Sequence, residues 1–135
     1  MPLLNWNESY SVKIAQIDSQ HKKLVDIINN LHDSMKAGKS KEVLGKILNQ
    51  LIDYTANHFK TEEDLFDKYG YPDKIAHKRQ HGDLVDQVLK FKANYESGKS
   101  VLSIDLMNFL KEWLIQHMSG SDKKYSSYLN SKGVS

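Results

Sequence analysis

Apolar residues recur along this chain at alternating spacings of three and four, the period of a helix with one buried face. The first such stripe begins near Asp18, a good N-cap, and carries His21, Leu24, Ile28, Leu31 and Met35 before Gly38. A second opens at Ser40 and runs through Leu44, Ile47, Leu51, Tyr54, His58, Glu62 and Leu65 to the break at Tyr69-Gly70-Tyr71-Pro72. The third follows Pro72 and Asp73 with His77, His81, Leu84, Val88, Phe91 and Tyr95, and stops near Gly98. The fourth, capped by Ser103, shows Leu106, Leu110, Leu114 and His117 and is interrupted at Gly120. Short connections make neighbouring helices antiparallel, so the pattern predicts an all-α fold, an up-down-up-down antiparallel four-helix bundle.

Upstream of Asp18, the apolar residues Leu3, Leu4, Trp6, Tyr10, Val12, Ile14 and Ile17 are spaced too irregularly for another long helix, and predict an extended N-terminal arm packed on the bundle. Downstream of Asp122, Tyr125, Tyr128 and Leu129 predict a short C-terminal helix, with Lys132 to Ser135 frayed. The expected organisation is a single domain over 1–135, made of the arm (1–17), the bundle (18–118) and a C-terminal segment (119–135).

Composition narrows what such a bundle can do. With 39% hydrophobic and 27% charged residues the chain has enough apolar material for a core and is neither disordered nor fibrous. A net charge of +2, with lysines interspersed among acids, provides no basic stripe for nucleic acid. No apolar run approaches the ~20 residues of a membrane span. The start Met1-Pro2-Leu3-Leu4-Asn5-Trp6 lacks the charged and apolar segments of a signal peptide, so the expected location is cytoplasmic. The absence of cysteine removes disulfides, iron–sulfur clusters and thiolate zinc sites, so any metal must be held by nitrogen and oxygen.

The histidines supply the candidate chemistry. His58 and Glu62 are four apart, as are His77 and His81, so each pair shares a helix face. At one mouth of the bundle, helix starts and ends alternate. His21 lies at a start, His58 and Glu62 toward an end, His77 and His81 at a start, and His117 at an end. Each continues the apolar seam of its helix and so points inward. Asp122 comes five after His117, beyond Gly120, where a broken helix can turn the carboxylate back. Glu63 is rotated ~140° from His58 whereas Glu62 is only ~40° away; Glu62 is therefore the ligand candidate and Glu63 belongs to a solvated charge run. His32 fits a core or surface position.

A lone seam histidine is more often a core imidazole satisfied by one hydrogen bond. Five of them at one end would leave many nitrogens desolvated without partners, and a metal supplies those partners. Seven donors exceed a tetrahedral zinc site, and mixed imidazole and carboxylate suits iron ahead of manganese or copper. Two ions sharing Glu62 and Asp122, with a solvent-derived oxygen between them, account for the number. The odd count of imidazoles leaves one ion coordinatively short, and a small ligand would bind in that gap.

His21, the run His58-Phe59-Lys60-Thr61-Glu62, His77-x-x-x-His81, and His117 followed by Asp122 resemble the hemerythrin motif. The resemblance extends to the Trp6 region, Asp18-Ser19-Gln20-His21-Lys22 and Trp113-Leu114-Ile115-Gln116-His117, and its nearest pattern is the bacterial single-domain hemerythrins. It implies two non-haem iron ions bridged by Glu62, Asp122 and an oxo or hydroxo group. His77, His81 and His117 would sit on the saturated iron, and His21 and His58 on the open one, where O2 binds reversibly. Phe59, Trp113 and Leu114 match positions that line the O2 pocket, and Met118 stands where isoleucine is common, which implies a reshaped pocket.

The implied function is O2 storage or delivery by a monomer that is not an enzyme, with any protein recipient of the O2 unknown. Oxygen or redox sensing through a partner, and peroxide, nitric oxide or iron-handling chemistry at the same centre, stand as alternatives. Ferritin-like enzymes use Glu-x-x-His pairs, and this chain has none.

Overall fold

Ser40 and Gly70 delimit the longest helix by opposite devices. The Ser40 side chain accepts the Val43 N–H, satisfying one of the donors that a first turn leaves free. Gly70 takes the left-handed conformation at φ 65°, open to a residue without Cβ, and returns its N–H to the Phe66 carbonyl. In the computed structural model, which describes residues 3–98 and 104–135, this helix is α2 (Lys41–Tyr69). It is preceded by α1 (Ala15–Lys36) and followed by α3 (Lys74–Glu96), α4 (Ile104–Gln116) and α5 (Asp122–Ser131). Helices α1 to α4 form the antiparallel up-down-up-down bundle, with α1 packed on α2 and α4, and α2 on α3. Among the described residues there is no strand, and no helix is long and apolar enough to cross a membrane.

The start of α1 differs from the sequence expectation. The helix begins at Ala15, and Ile14 at its N-cap makes no side-chain cap bond. Asp18 lies inside the first turn, where its carboxylate accepts the Val12 N–H at 2.8 Å and the Ser11 hydroxyl at 2.5 Å. It thus satisfies donors of the arm rather than of the helix, and its charge still suits a helix N-terminus. The arm is not uniformly extended either. A 3-10 turn at Glu8–Tyr10 interrupts it, capped by the Asn7 side chain, which accepts the Ser9 N–H at 2.8 Å. Farther out, Asn29 of α1 grips Leu4 from both sides, accepting its N–H at 2.9 Å and donating to its carbonyl at 2.7 Å. The expected cap at Ser103 lies outside the described residues.

A second difference concerns the chain after α4. It does not break at Gly120; it widens into a π-helical turn over His117–Ser121 and runs on into α5. In an α-helix, residues five apart point ~140° away from each other. Here the Asp122 N–H bonds to the His117 carbonyl, so the wider turn absorbs the extra residue and brings Asp122 to the face of His117. The Ser119 hydroxyl donates to the Ile115 carbonyl at 2.5 Å, and Ser121 donates to Gln80 of α3 at 2.7 Å, pinning the turn along and across the bundle.

The core has two apolar bodies. The larger includes Leu24, Ile28, Leu31, Leu48, Leu51, Leu110, Leu114 and Met118. The smaller gathers Val12, Ile14, Ile17, Phe66, Tyr71, Tyr125 and Leu129 from the arm, α1, α2, the turn before α3, and α5. Along α1, α2 and the α4–α5 rod, the histidines and carboxylates sit between residues of the two bodies. The mouth of the bundle is therefore closed by the arm and α5. Replacing Asp18 with alanine removes the acceptor for two arm donors and should lower stability by about 1–3 kcal/mol in urea unfolding; an unchanged midpoint would contradict this role.

Candidate metal centre

Every one of the seven proposed donors is buried: His21, Glu62 and Asp122 are fully enclosed, and His58, His77, His81 and His117 are at most 5% exposed. Helix periodicity accounts for their convergence. His58 and Glu62 stack one turn apart on α2, His77 and His81 do so on α3, and the π turn aligns His117 with Asp122. The Asp122 carboxylate faces both ways, with Oδ2 3.0 Å from His21 Nε2 and Oδ1 3.1 Å from both His77 and His117 Nε2. Glu62 Oε1 lies 2.9 Å from His58 Nε2 and 3.4 Å from His81 Nε2. Two donor sets result, each with its atoms within 4.8 Å of one another: Glu62, His77, His81, His117 and Asp122, and His21, His58, Glu62 and Asp122. His32 stays outside, on α1, with Nδ1 3.9 Å from the Asp33 carboxylate.

Many of these atoms approach one another without making hydrogen bonds. Among the described residues, both ring nitrogens of His21, His77 Nε2 and all four oxygens of Glu62 and Asp122 are enclosed and meet no partner in hydrogen-bond geometry, despite these close approaches. Unpaired buried polar atoms cost about 1–3 kcal/mol each, and more when charged. A cation among them would satisfy them together, and the nitrogen and oxygen donors present suit a transition metal. The cluster is thus able to bind metal, and its residues fit the task.

Electrostatics reports the same convergence. Burial pushes the Glu62 carboxyl up, but His58 and His81 outweigh it and hold the group well below the usual carboxylate range. Burial acts likewise on Asp122, and His117, His21 and His77 bring it well below its ordinary value. Burial lowers His21, yet the facing Asp122 raises it overall; His81 is raised against burial by Glu62 and Glu63.

Three further residues escaped sequence reasoning. Glu63, excluded because it points away from His58, reaches across to α3, where its Oε2 lies 2.9 Å from His81 Nδ1. Its rotation on α2 was a correct signal read against the wrong helix. Gln20 places Oε1 2.7 Å from His58 Nδ1, and its side chain gave no sign of this beyond standing next to His21. Tyr125 belongs to the smaller apolar body, yet it turns a fully buried hydroxyl toward the charges of Glu62 and Asp122. Burial, then the charges of Glu62 and Asp122, raise it well above the ordinary tyrosine value.

The family model described as "Hemerythrin HHE cation binding domain" matches residues 12–129. The chain belongs to the hemerythrin family. It is 35% identical to a bacteriohemerythrin of Methylococcus capsulatus, covering 96% of this chain and 99% of that one. It is 32% identical to a bacteriohemerythrin of Stenotrophomonas maltophilia, covering 93% and 81%. A solved wild-type hemerythrin superposes with a TM-score of 0.89 at 34% identity, covering 93% of this chain and 96% of that one.

Beside the histidine and carboxylate cluster of this hemerythrin-family chain lies a cavity of about 40 Å³, room for a molecule of about the size of water or a diatomic gas. His21, His58 and His117 form its polar end, and Leu24, Ile28, Leu51, Phe59, Leu84, Leu110, Trp113 and Leu114 are among its apolar walls. Phe59 stacks on His81 with ring centroids 3.7 Å apart, and Trp113 on His117 at 4.4 Å, so two of the aromatic walls also hold imidazoles of the cluster in place. Met118 departs from expectation. One residue beyond His117 the helix has turned by ~100°, and Met118 is buried in the larger apolar body, not among the residues lining the cavity.

A pH dependence follows from the shifted groups. The raised His21 and His81 stabilise the fold below pH 6.5, and that contribution is lost as pH rises through their folded values. The lowered Glu62 and Asp122 stabilise it above about pH 4, and that contribution is lost in acid. The chelated protein should therefore melt at its highest temperature between about pH 4 and 6.5 and lose stability toward pH 8. Metal loading should remove the alkaline loss, because the cation replaces protons among the carboxylates. A melting temperature of the chelated protein that rises from pH 6 to 8 would contradict this.

Proposed function

We propose that the protein binds O2 reversibly at a non-haem di-iron centre, for oxygen storage or delivery. His77, His81 and His117 would hold one ion and His21 and His58 the other, with Glu62 and Asp122 shared between them. Iron, when bound, supplies the electrons that make O2 binding reversible. The observation that carries the reading is the position of the cavity. It abuts both imidazoles of the donor-poor half, and its size and apolar walls suit a small uncharged ligand.

The chain's own residues do the rest. The stacked rings of Phe59 and Trp113 fix imidazole orientation, and the aliphatic walls exclude water that would promote irreversible oxidation. Enzymatic peroxide reduction needs a proton donor at the ligand. Apart from the three histidines, Thr55 and the indole N–H of Trp113 are the polar side-chain groups among the described residues of the lining, and no carboxylic acid is among those. That supports binding over turnover, as does the chain's membership of the hemerythrin family together with its buried His/Glu/Asp cluster.

The test is the visible spectrum of the anaerobically reduced, iron-loaded protein before O2, after O2, and after its removal. A charge-transfer band that appears and disappears reversibly is the expected result. Direct passage to a ferric spectrum that deoxygenation cannot undo would reject O2 carriage in favour of redox sensing or peroxide chemistry. Leu51→Gln, which places an amide in the cavity wall, should shorten the oxygenated lifetime several-fold as water enters; an unchanged lifetime would show that the dry wall does not protect the site.

A further inference from the structure

The two halves of the cluster are supported differently, and the hydrogen-bond chain behind His58 shows how. The Thr61 hydroxyl donates its one proton to the Asn57 carbonyl at 3.2 Å. It can therefore meet Gln20 Nε2, also at 3.2 Å, only as an acceptor, which fixes the Gln20 amide with its oxygen toward His58 Nδ1. An amide oxygen accepts only, so Nδ1 carries the hydrogen. His58 Nε2 then keeps its lone pair on the side that faces Glu62. On the other half, the Glu63 carboxylate is likewise an acceptor, so His81 takes the same tautomer and turns Nε2 toward Glu62 and His117.

The tautomers agree, but the supporting charges do not. His58 leans on a neutral amide, whereas His81 leans on an anion, and a carboxylate behind an imidazole makes it the stronger metal donor. The Glu63 side also has three imidazoles against two. The carboxylates of Glu62 and Asp122 are common to both sets, so the first cation to arrive neutralises much of the charge that the second would meet. Donor number, supporting charge and shared anions all act in one direction.

We propose that Glu63 and Gln20 are positioning residues that make the two halves unequal, so that the three-imidazole half fills first and a one-metal form of the protein accumulates. The inference rests on the reading of the cluster as a two-metal centre. Gln20, a neutral partner, would keep the two-imidazole half the weaker of the two.

The test titrates the chelated full-length protein with Zn2+ to two equivalents, with native mass spectrometry counting zinc and long-range 1H–15N spectra of the histidine rings locating it. At one equivalent a one-zinc species should dominate, with the rings of His77, His81 and His117 shifted and those of His21 and His58 not. Glu63→Gln should weaken the first step about 10–100-fold and spare the second, and Gln20→Ala should do the reverse. Gln20→Glu, which puts an anion behind His58, should tighten the second step and narrow the gap, an effect that a merely structural role would not produce. A statistical mixture of empty, singly and doubly loaded chains would overturn the proposal, as would Glu63→Gln weakening both steps alike. The wild-type titration and ring spectra decide the order of filling even if a variant fails to fold. Absence of zinc binding altogether would overturn the two-metal reading itself, and the proposal with it.

Discussion

Two carboxylates and five imidazoles enclosed in one layer of a helical bundle are the constraint on which the rest of this protein depends. Glu62 and Asp122 have no solvent exposure, and among the described residues their oxygens meet imidazoles but no partner in hydrogen-bond geometry. Anions buried in that way are tolerated only when positive charge is brought to them, by protonated imidazole or by metal. The helices are arranged to keep that layer assembled. α2 and α3 each give two groups one turn apart, the π turn after α4 gives His117 and brings Asp122 at the start of α5 to its face, and α1 completes the set with His21.

The closing of the bundle's mouth follows from the same constraint. A layer of charge at an open end would be hydrated and would bind metal loosely. The arm and α5 instead put a second apolar body over it, in which Val12, Ile17, Phe66, Tyr125 and Leu129 are all completely or almost completely buried. Asp18, by tying Ser11 and Val12 to the first turn of α1, fixes where the arm crosses. On the opposite side the larger apolar body leaves a small, mainly apolar space against His21 and His58. The layer is thus enclosed from both directions, with room for a small ligand on one side.

Four helices, their directions and the convergence of seven histidine and carboxylate side chains were legible because each rests on local periodicity: an apolar stripe, a histidine on the seam, a pair at spacing four. What was not legible depends on chain-to-chain geometry. Asp18 reads as an N-cap by residue type, but the Ser11 and Val12 donors it serves are brought to it by the path of the arm. Gly120 reads as a helix breaker, yet a single wide turn satisfies its neighbours' backbone and no left-handed conformation is needed there. Glu63 is polar, next to Glu62 and turned from His58; only the placement of α3 against α2 gives it His81 as a partner. The resemblance puts Met118 at the pocket, whereas the helix rotation beyond His117 places it in the larger apolar body, outside the lining of the cavity.

The central claim, that this buried layer holds two metal ions through nitrogen and oxygen donors alone, is tested most directly by iron analysis combined with iron K-edge absorption on the anaerobically loaded protein. The account predicts two irons per chain, a first shell of nitrogen and oxygen, and an iron–iron vector on the order of 3.5 Å, as in two-metal sites with shared carboxylates. One iron per chain, or two without an iron–iron vector, would contradict it.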